Sequence, residues 1–414
     1  MTDRISSIQQ ALREAGLDGW LFYDFRGSDP LAARILKIDP ARHMTRRWYY
    51  LIPARGTAIK ILHKIEPHSL DDVPGETHLY LSWQEQHEHL RQALATIARS
   101  PRGLGASESA SDARAPAKVA MQYSPMNAVP YVSRVDAGTL ELVRSLGAEV
   151  VTSADLVQRF EAVWTADQYA SHCEAASALR QIVDEVFAGI GRDIRKGHTV
   201  TERDVQKNIL AGIEHRGMFT YSPPIVAVNA HAADPHYSPP VEGSSILQRG
   251  DLVLIDLWAK NKTPGSMYGD ITWTGFIGDQ VPARQAEVFA IVAAARDAAV
   301  LFVREEVSSG RFPRGGDVDD VCRNVIRKAG YADRFIHRTG HSIGEEVHGN
   351  GANIDNLETN DARRLLPRTC FSIEPGIYLP GEFGIRSEVD VYLTEREAIV
   401  TGLPIQTEIV PILA

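Results

Sequence analysis

Two stretches of this chain set acids into strands that are otherwise apolar. "DLVLIDLWA" brings Asp256 in after a run of leucine, valine and isoleucine, and fourteen residues on "GDITWTGFIG" opens with Asp270. "TCFSIEPGIY" repeats the arrangement with Glu374, and fourteen residues on "IRSEVDVYLT" supplies Glu388. A carboxylate buried in such a strand is expensive unless it meets a cation or takes up a proton. One acid of this kind reads as a strand-end group in solvent or as half of an ion pair with arginine. Four acids in two similar hairpins ask for a shared partner, and a metal ion is the simplest partner for converging carboxylates. The equal spacing also predicts an internal duplication, with one acid-bearing hairpin in each half.

The segment "FIHRTGHSIGEEVHGNG", Phe335 to Gly351, holds two incompatible motifs. Gly340 to Gly344 spells G-x-S-x-G, the turn that presents a serine nucleophile in one class of hydrolases. That triad requires an acid and then a histidine downstream of the serine. The only histidine after Ser342 is His348, six residues away, and no acid-bearing strand fits between them. The preceding "YADRFIHRT" is also a poor buried strand. The serine motif is a chance match, and Ser342 reads as a small residue that lets backbone pack closely. His337, His341 and His348 then read as metal or proton-relay groups.

Four carboxylates with one imidazole make a site dominated by hard oxygen ligands. Such a site suits Mn²⁺, Co²⁺, Fe²⁺ or Zn²⁺ rather than a thiolate-bound structural zinc. Bridging carboxylates are enough for two ions about 3.5–4 Å apart, which together activate water and polarise a carbonyl.

At 414 residues the chain is long for a single core, so two domains are expected. Residues 1–158 alternate helix and strand. "SSIQQALREAGLDGW" is an amphipathic helix ended near Gly16, followed by apolar strands at "GWLFYDF", "RWYYLIPA" and "AIKILHKI". "ARSPRGLGASESASDARAPAK" reads as an exposed loop, and "LELVRSLGAEVVTSADLV" resumes the α/β texture. Residues 159–414 form an α+β domain. Its first helix opens at a Thr165/Gln168 capping box, and its second at Thr199 with Glu202. "ARQAEVFAIVAAARDAAVLFVREEV" and "GDVDDVCRNVIRKAG" are the third and fourth helices. A net charge of -9 argues against a nucleic-acid partner. No apolar run suggests a membrane span, and the N-terminal stretch has no apolar signal region. Three widely spaced cysteines, Cys173, Cys322 and Cys370, fit a reducing cytoplasm.

The C-terminal domain resembles the pita-bread metallopeptidases, the group of methionine aminopeptidase, aminopeptidase P and prolidase. The motifs stand in family order: "IDLWA", "GDITWT", "RTGHSIGEEVH", "SIEPGIY" and "IRSEVDVYLT". The resemblance implies Asp256, Asp270, His341, Glu374 and Glu388 as ligands of a dinuclear centre, with Mn²⁺ the expected ion. It implies an α/β N-terminal domain of creatinase/prolidase type. The second domain is then an α+β pita-bread catalytic domain with pseudo-two-fold duplicated halves. His236 in "DPHYSP", His337 and His348 match positions that hold the substrate or stabilise the tetrahedral intermediate, and Arg386 matches an arginine that neutralises a substrate carboxylate or positions a bridging acid. Glu374 matches the residue that also serves as base. The large N-terminal domain points to cleavage before proline: an Xaa-Pro dipeptidase, with an Xaa-Pro aminopeptidase acting on longer peptides as the alternative. A hydrolase or lyase of another small zwitterion is the third reading. A proline-containing peptide substrate and a homodimer follow from the resemblance alone. The chain departs from the pattern at Trp273, where arginine is common, at Ser222 beside Tyr221, where a tyrosine is common, and at Gly349, where an acid is common. The hairpin between the two aspartates is also a few residues longer than usual.

Overall fold

The computed structural model describes residues 2–39, 41–98 and 116–414. The expected exposed loop at 98–118 lies outside the described residues except at its two ends. The chain divides into two compact units, Met1–Glu161 and Ala162–Ala414.

The first unit runs α1 (Thr2–Glu14), β1 (Gly19–Asp24), α2 (Pro30–Leu36), β2 (Trp48–Pro53), β3 (Ile59–His63), β4 (Glu76–Tyr80) and α3 (Trp83–Ile97). It continues with β5 (Ala117–Met121), α4 (Ala137–Ser145), β6 (Ala148–Thr152) and α5 (Ala154–Glu161). Six strands form one mixed sheet in the order β4-β3-β2-β1-β5-β6. The central strands β1 and β2 are buried at every position, as expected of strands covered on both faces. Trp20, Phe22 and Tyr50 face one apolar cluster, while Leu21, Tyr49 and Leu51 face another on the opposite side.

The second unit begins with α6 (Ala166–Arg195), α7 (Glu202–His215), β7 (Met218–Phe219) and β8 (Ile225–Val228). Next come β9 (Leu252–Asn261), β10 (Gly269–Phe276), α8 (Ala283–Ser308), α9 (Gly315–Lys328) and β11 (Ser342–Ile343). The remaining strands are β12 (Cys370–Ile373), β13 (Gly376–Leu379), β14 (Phe383–Arg386), β15 (Val389–Leu393), β16 (Ala398–Val400) and β17 (Val410–Pro411). The duplicated α+β organisation is visible in the packing. Val253, Ile255, Leu257 and Ala259 of β9 bury one face against α6 and α7. Phe371, Ile373, Val389 and Val391 bury theirs against α8 and α9. Alternation along each strand therefore leaves Asp256 and Asp270 on the other face.

The two hairpins are not identical. β9 and β10 pair without interruption from Gly269↔Ala259 to Phe276↔Leu252. The second hairpin is split into a β12/β15 pair and a β13/β14 pair. Pro375 stands at the break and has no N–H to continue the ladder. Glu374 and Glu388 lie where the pairing fails, so their side chains are free to turn inward.

Thr165 and Gln168 form the expected reciprocal cap of α6. The second helix corrects the sequence reading: Thr201 with Asp204, not Thr199 with Glu202, caps α7. Glu202 is fully buried and used elsewhere. Its carboxylate accepts from the Val228 N–H at 2.8 Å and the Tyr237 hydroxyl at 2.7 Å, and its Oε1 lies 2.9 Å from His231 Nδ1. It thus clamps both ends of the turn that leads to His236. Two glycines allow close approaches here. A Cβ on Gly384 would lie 1.8 Å from Ala232 O, and one on Gly340 would lie 1.9 Å from Ser372 O. No helix among the described residues is long and apolar enough to cross a membrane.

Candidate metal centre

Asp270, His341 and Glu388 each offer a ligand atom within 4.8 Å of the other two, and all three are buried. His341 Nε2 lies 3.6 Å from Asp270 Oδ2 and 3.5 Å from Glu374 Oε1. Its Nδ1 faces Ser342 O at 3.2 Å. That contact fixes the proton on Nδ1 and leaves the Nε2 lone pair toward the carboxylates, the tautomer a metal ligand requires. Asp256 stands slightly apart, with Oδ2 accepting from Arg386 Nη2 at 2.5 Å.

The electrostatics of the cluster are adverse in the absence of a cation. Burial, then Glu388, Asp256, Asp390 and Glu374, hold the Asp270 carboxyl well above the usual carboxylate range. Burial, followed by Glu374 and Asp256, does the same to Glu388. Burial lifts Glu374 to about 7 against the pull of Arg386. Burial drives His341 well below the usual imidazole value, with His348 and Arg338 adding to the shift, so it is neutral. Asp256 Oδ1 and Asp270 Oδ1 are buried and have no hydrogen-bond partner among the described residues. Unpaired buried carboxylate oxygens beside a neutral imidazole fit divalent cations well.

Arg386 is nearly inaccessible, at 3% exposure. Besides Asp256, it donates to Thr272 Oγ1 at 3.1 Å and Tyr378 OH at 3.0 Å. Thr272 in turn donates to Glu388 Oε2 at 2.7 Å. Arg386 therefore reaches acids of both hairpins, Asp256 directly and Glu388 through Thr272. His337 is likewise engaged by protein groups. Its Nδ1 lies 2.7 Å from Arg338 O and its Nε2 lies 2.7 Å from Tyr378 OH. Both nitrogens are occupied, and burial followed by Arg386 lowers its pKa to about 3. His348 packs edge-on to His341, with ring centroids 4.3 Å apart. His236 is exposed, with its backbone N–H held by Asp234 Oδ1 at 3.0 Å. Both of these histidines are exposed, whereas both ring nitrogens of His337 meet protein groups.

Several participants escaped the sequence reading. Thr272 and Asp390 each stand two residues beyond a candidate ligand, so strand periodicity puts them on the ligand's face. Asp390 Oδ2 accepts the Asp270 N–H at 2.8 Å. Tyr378 and the buried Arg338 gave no such signal. Of the departures, Trp273 points to the helix side of β10, where Arg180 Cζ lies 3.6 Å from its ring centroid. Gly349 is required by packing, since a Cβ there would lie 2.9 Å from Ser342 Oγ. Ser342 sits buried in β11 with its Oγ accepting the Gly351 N–H at 3.0 Å. That is close backbone packing, with no strand-to-helix nucleophile turn.

A duplicated α+β unit that gathers acids from two hairpins around one imidazole defines a pita-bread metallohydrolase. The family model for metallopeptidase family M24 matches residues 174–395, and the chain belongs to that family. The probable dipeptidase PepE of Mycobacterium bovis is 32% identical over 279 residues, 66% of this chain and 67% of that protein. An Xaa-Pro dipeptidase of Lactobacillus helveticus is 35% identical over 206 residues, 48% of this chain and 50% of that protein. The crystal structure of dipeptidase PepE from Mycobacterium ulcerans superposes with a TM-score of 0.69 at 26% identity, covering 99% of this chain and 98% of that one.

Proposed function

We propose that this chain hydrolyses the peptide bond before proline, as an Xaa-Pro dipeptidase with two divalent metal ions. The observation that carries the reading is the convergence of Asp270, His341 and Glu388, with Glu374 and Asp256 alongside, around unpaired buried carboxylate oxygens. The similarity to an Xaa-Pro dipeptidase supports the substrate class. Asp256, Asp270, His341, Glu374 and Glu388 would hold the ions, with Mn²⁺ the expected species. When bound, the ions supply Lewis acidity toward the scissile carbonyl and toward water.

The protein's own groups do the rest. Glu374, with Ser372 Oγ donating to its Oε1 at 3.2 Å, takes the proton of the attacking water and returns it to the leaving proline nitrogen. His348 and His236, both exposed, would donate to the carbonyl oxygen as charge develops on it. Arg386, held by Tyr378 and backed by His337, fixes Asp256 and, through Thr272, Glu388. The three free cysteines agree with a reducing cytoplasm, and a homodimer is part of the reading.

Hydrolysis of Ala-Pro and Ala-Pro-Ala by metal-stripped protein, with each ion added back, tests this. Cleavage of Ala-Pro restored by Mn²⁺ is expected. A preference for Ala-Pro-Ala makes the enzyme an aminopeptidase instead. Activity that persists in chelator refutes the metal centre, and inert proline peptides in metal-loaded protein refute the substrate class.

A further inference from the structure

The face of β9 that carries Asp256 also carries Trp258, which pairs in register with Asp270. A large aromatic ring on the acid-bearing face needs an explanation, because the opposite face already supplies the core. Trp258 is only partly buried and packs against two separate apolar clusters. One contains Val347, the neighbour of His348, and the other is flanked by Tyr237, the neighbour of His236. The indole therefore bridges the cluster that contains Val347 and the cluster flanked by Tyr237. Two further aromatics extend it: the Tyr221 ring lies 6.4 Å from Trp258 and 6.3 Å from Tyr268. Tyr221 is 59% exposed, so this wall opens to solvent. The buried Trp258 Nε1 has no hydrogen-bond partner among the described residues.

We infer that Trp258 and Tyr221, backed by the buried Tyr268, form the subsite for the side chain preceding proline, and that Trp258 sets a preference for bulky apolar residues there. The inference rests on the Xaa-Pro reading. Charge decides which end of the substrate lies here. The proline carboxylate seeks a cation, and among the described residues the cation against these rings is Lys260. Its ammonium lies 5.1 Å from the Tyr268 ring centroid and donates to Glu345 O, so it is already engaged. The other terminus is an ammonium, which aromatic faces tolerate. With the amine against these rings, the side chain on the same carbon meets the indole. Burying a leucine or phenylalanine side chain there instead of leaving it in water is worth about 10- to 100-fold in kcat/KM.

The test compares kcat/KM for Phe-Pro, Leu-Pro and Gly-Pro in the metal-loaded wild type, Trp258→Ala, Trp258→Phe and Tyr221→Ala. The wild type is expected to favour Phe-Pro and Leu-Pro over Gly-Pro. Trp258→Ala should lower the Phe-Pro to Gly-Pro ratio at least 10-fold, chiefly through KM, and Trp258→Phe should restore most of it. Should Trp258→Ala fail to fold, Tyr221→Ala, a surface change, must still lower the ratio several-fold. An unchanged ratio in the folded variants, with wild type active, overturns the subsite alone. A wild type inert toward all three dipeptides overturns the Xaa-Pro reading and the subsite with it.

Discussion

Asp270 is opposed on every side: burial and four neighbouring carboxylates disfavour its charge, while Asp390 holds its backbone N–H. Asp270→Asn keeps the shape and removes the charge, so its effects on folding and on activity should run in opposite directions. In metal-free protein the substitution relieves repulsion and should stabilise by about 1–3 kcal/mol in urea unfolding. In metal-loaded protein it should lower kcat/KM on Ala-Pro at least 1000-fold and reduce the metal content. A variant that keeps both activity and metal content would mean the centre is elsewhere. At this scale much was readable, because acids interrupting apolar strands have few innocent explanations. Arg386 was seen but its partners were not: a guanidinium two residues before an acid does not reveal that it reaches across to Asp256. The partners of His337 were hidden for a similar reason: its spacing to His341 does not reveal that its neighbours in space are Tyr378 and the Arg338 carbonyl.

Among the elements, the junction between α6 and the acid-bearing sheet is made by a histidine no motif announced. His172 is fully buried, its Nδ1 2.6 Å from Tyr268 O and its Nε2 2.7 Å from Thr401 Oγ1. Burial lowers its pKa to about 4. The unfolded chain takes up this proton near pH 6.5 and the folded chain only near 4, so acidification favours unfolding through that window. Wild type should therefore exceed His172→Gln in stability at pH 7, and the gap should shrink by on the order of 2 kcal/mol by pH 5. Parallel pH profiles of the urea midpoint would contradict this. The β13/β14 hairpin makes a second prediction. A Cβ at Gly384 would strike Ala232 O at 1.8 Å, so Gly384→Ala must push the hairpin off the turn leading to His236. A loss of about 2–4 kcal/mol is expected, with KM on Ala-Pro raised; unchanged stability and KM would deny the contact. Element types were legible from periodicity, but local pattern failed where it was degenerate. Thr199-x-x-Glu202 and Thr201-x-x-Asp204 are overlapping capping frames, and the buried demand of Val228, His231 and Tyr237 on Glu202 settled which one forms.

In the catalytic unit as a whole, the acids of one half and the histidine and glutamates of the other meet at one cluster, so an ion bound there ties the halves together. The apo unit carries the repulsion of its carboxylates as a stability deficit, and a cation bound only by the folded chain reverses it by mass action. At a thousandfold excess over its dissociation constant the gain is about 4 kcal/mol. Mn²⁺ added to chelator-treated protein should thus raise the melting temperature of this unit by several degrees. Asp270→Asn should forfeit most of that rise although its metal-free form starts higher. Magnesium, which prefers octahedral oxygen sites that retain water, should give a smaller rise at equal concentration. The duplication behind this coupling was visible as two acid pairs at one spacing, whereas the split in the second hairpin was marked only by Pro375. A melting temperature indifferent to Mn²⁺ in the wild type would mean the five side chains do not act as one site. A rise retained in full by Asp270→Asn would place the ion on other groups.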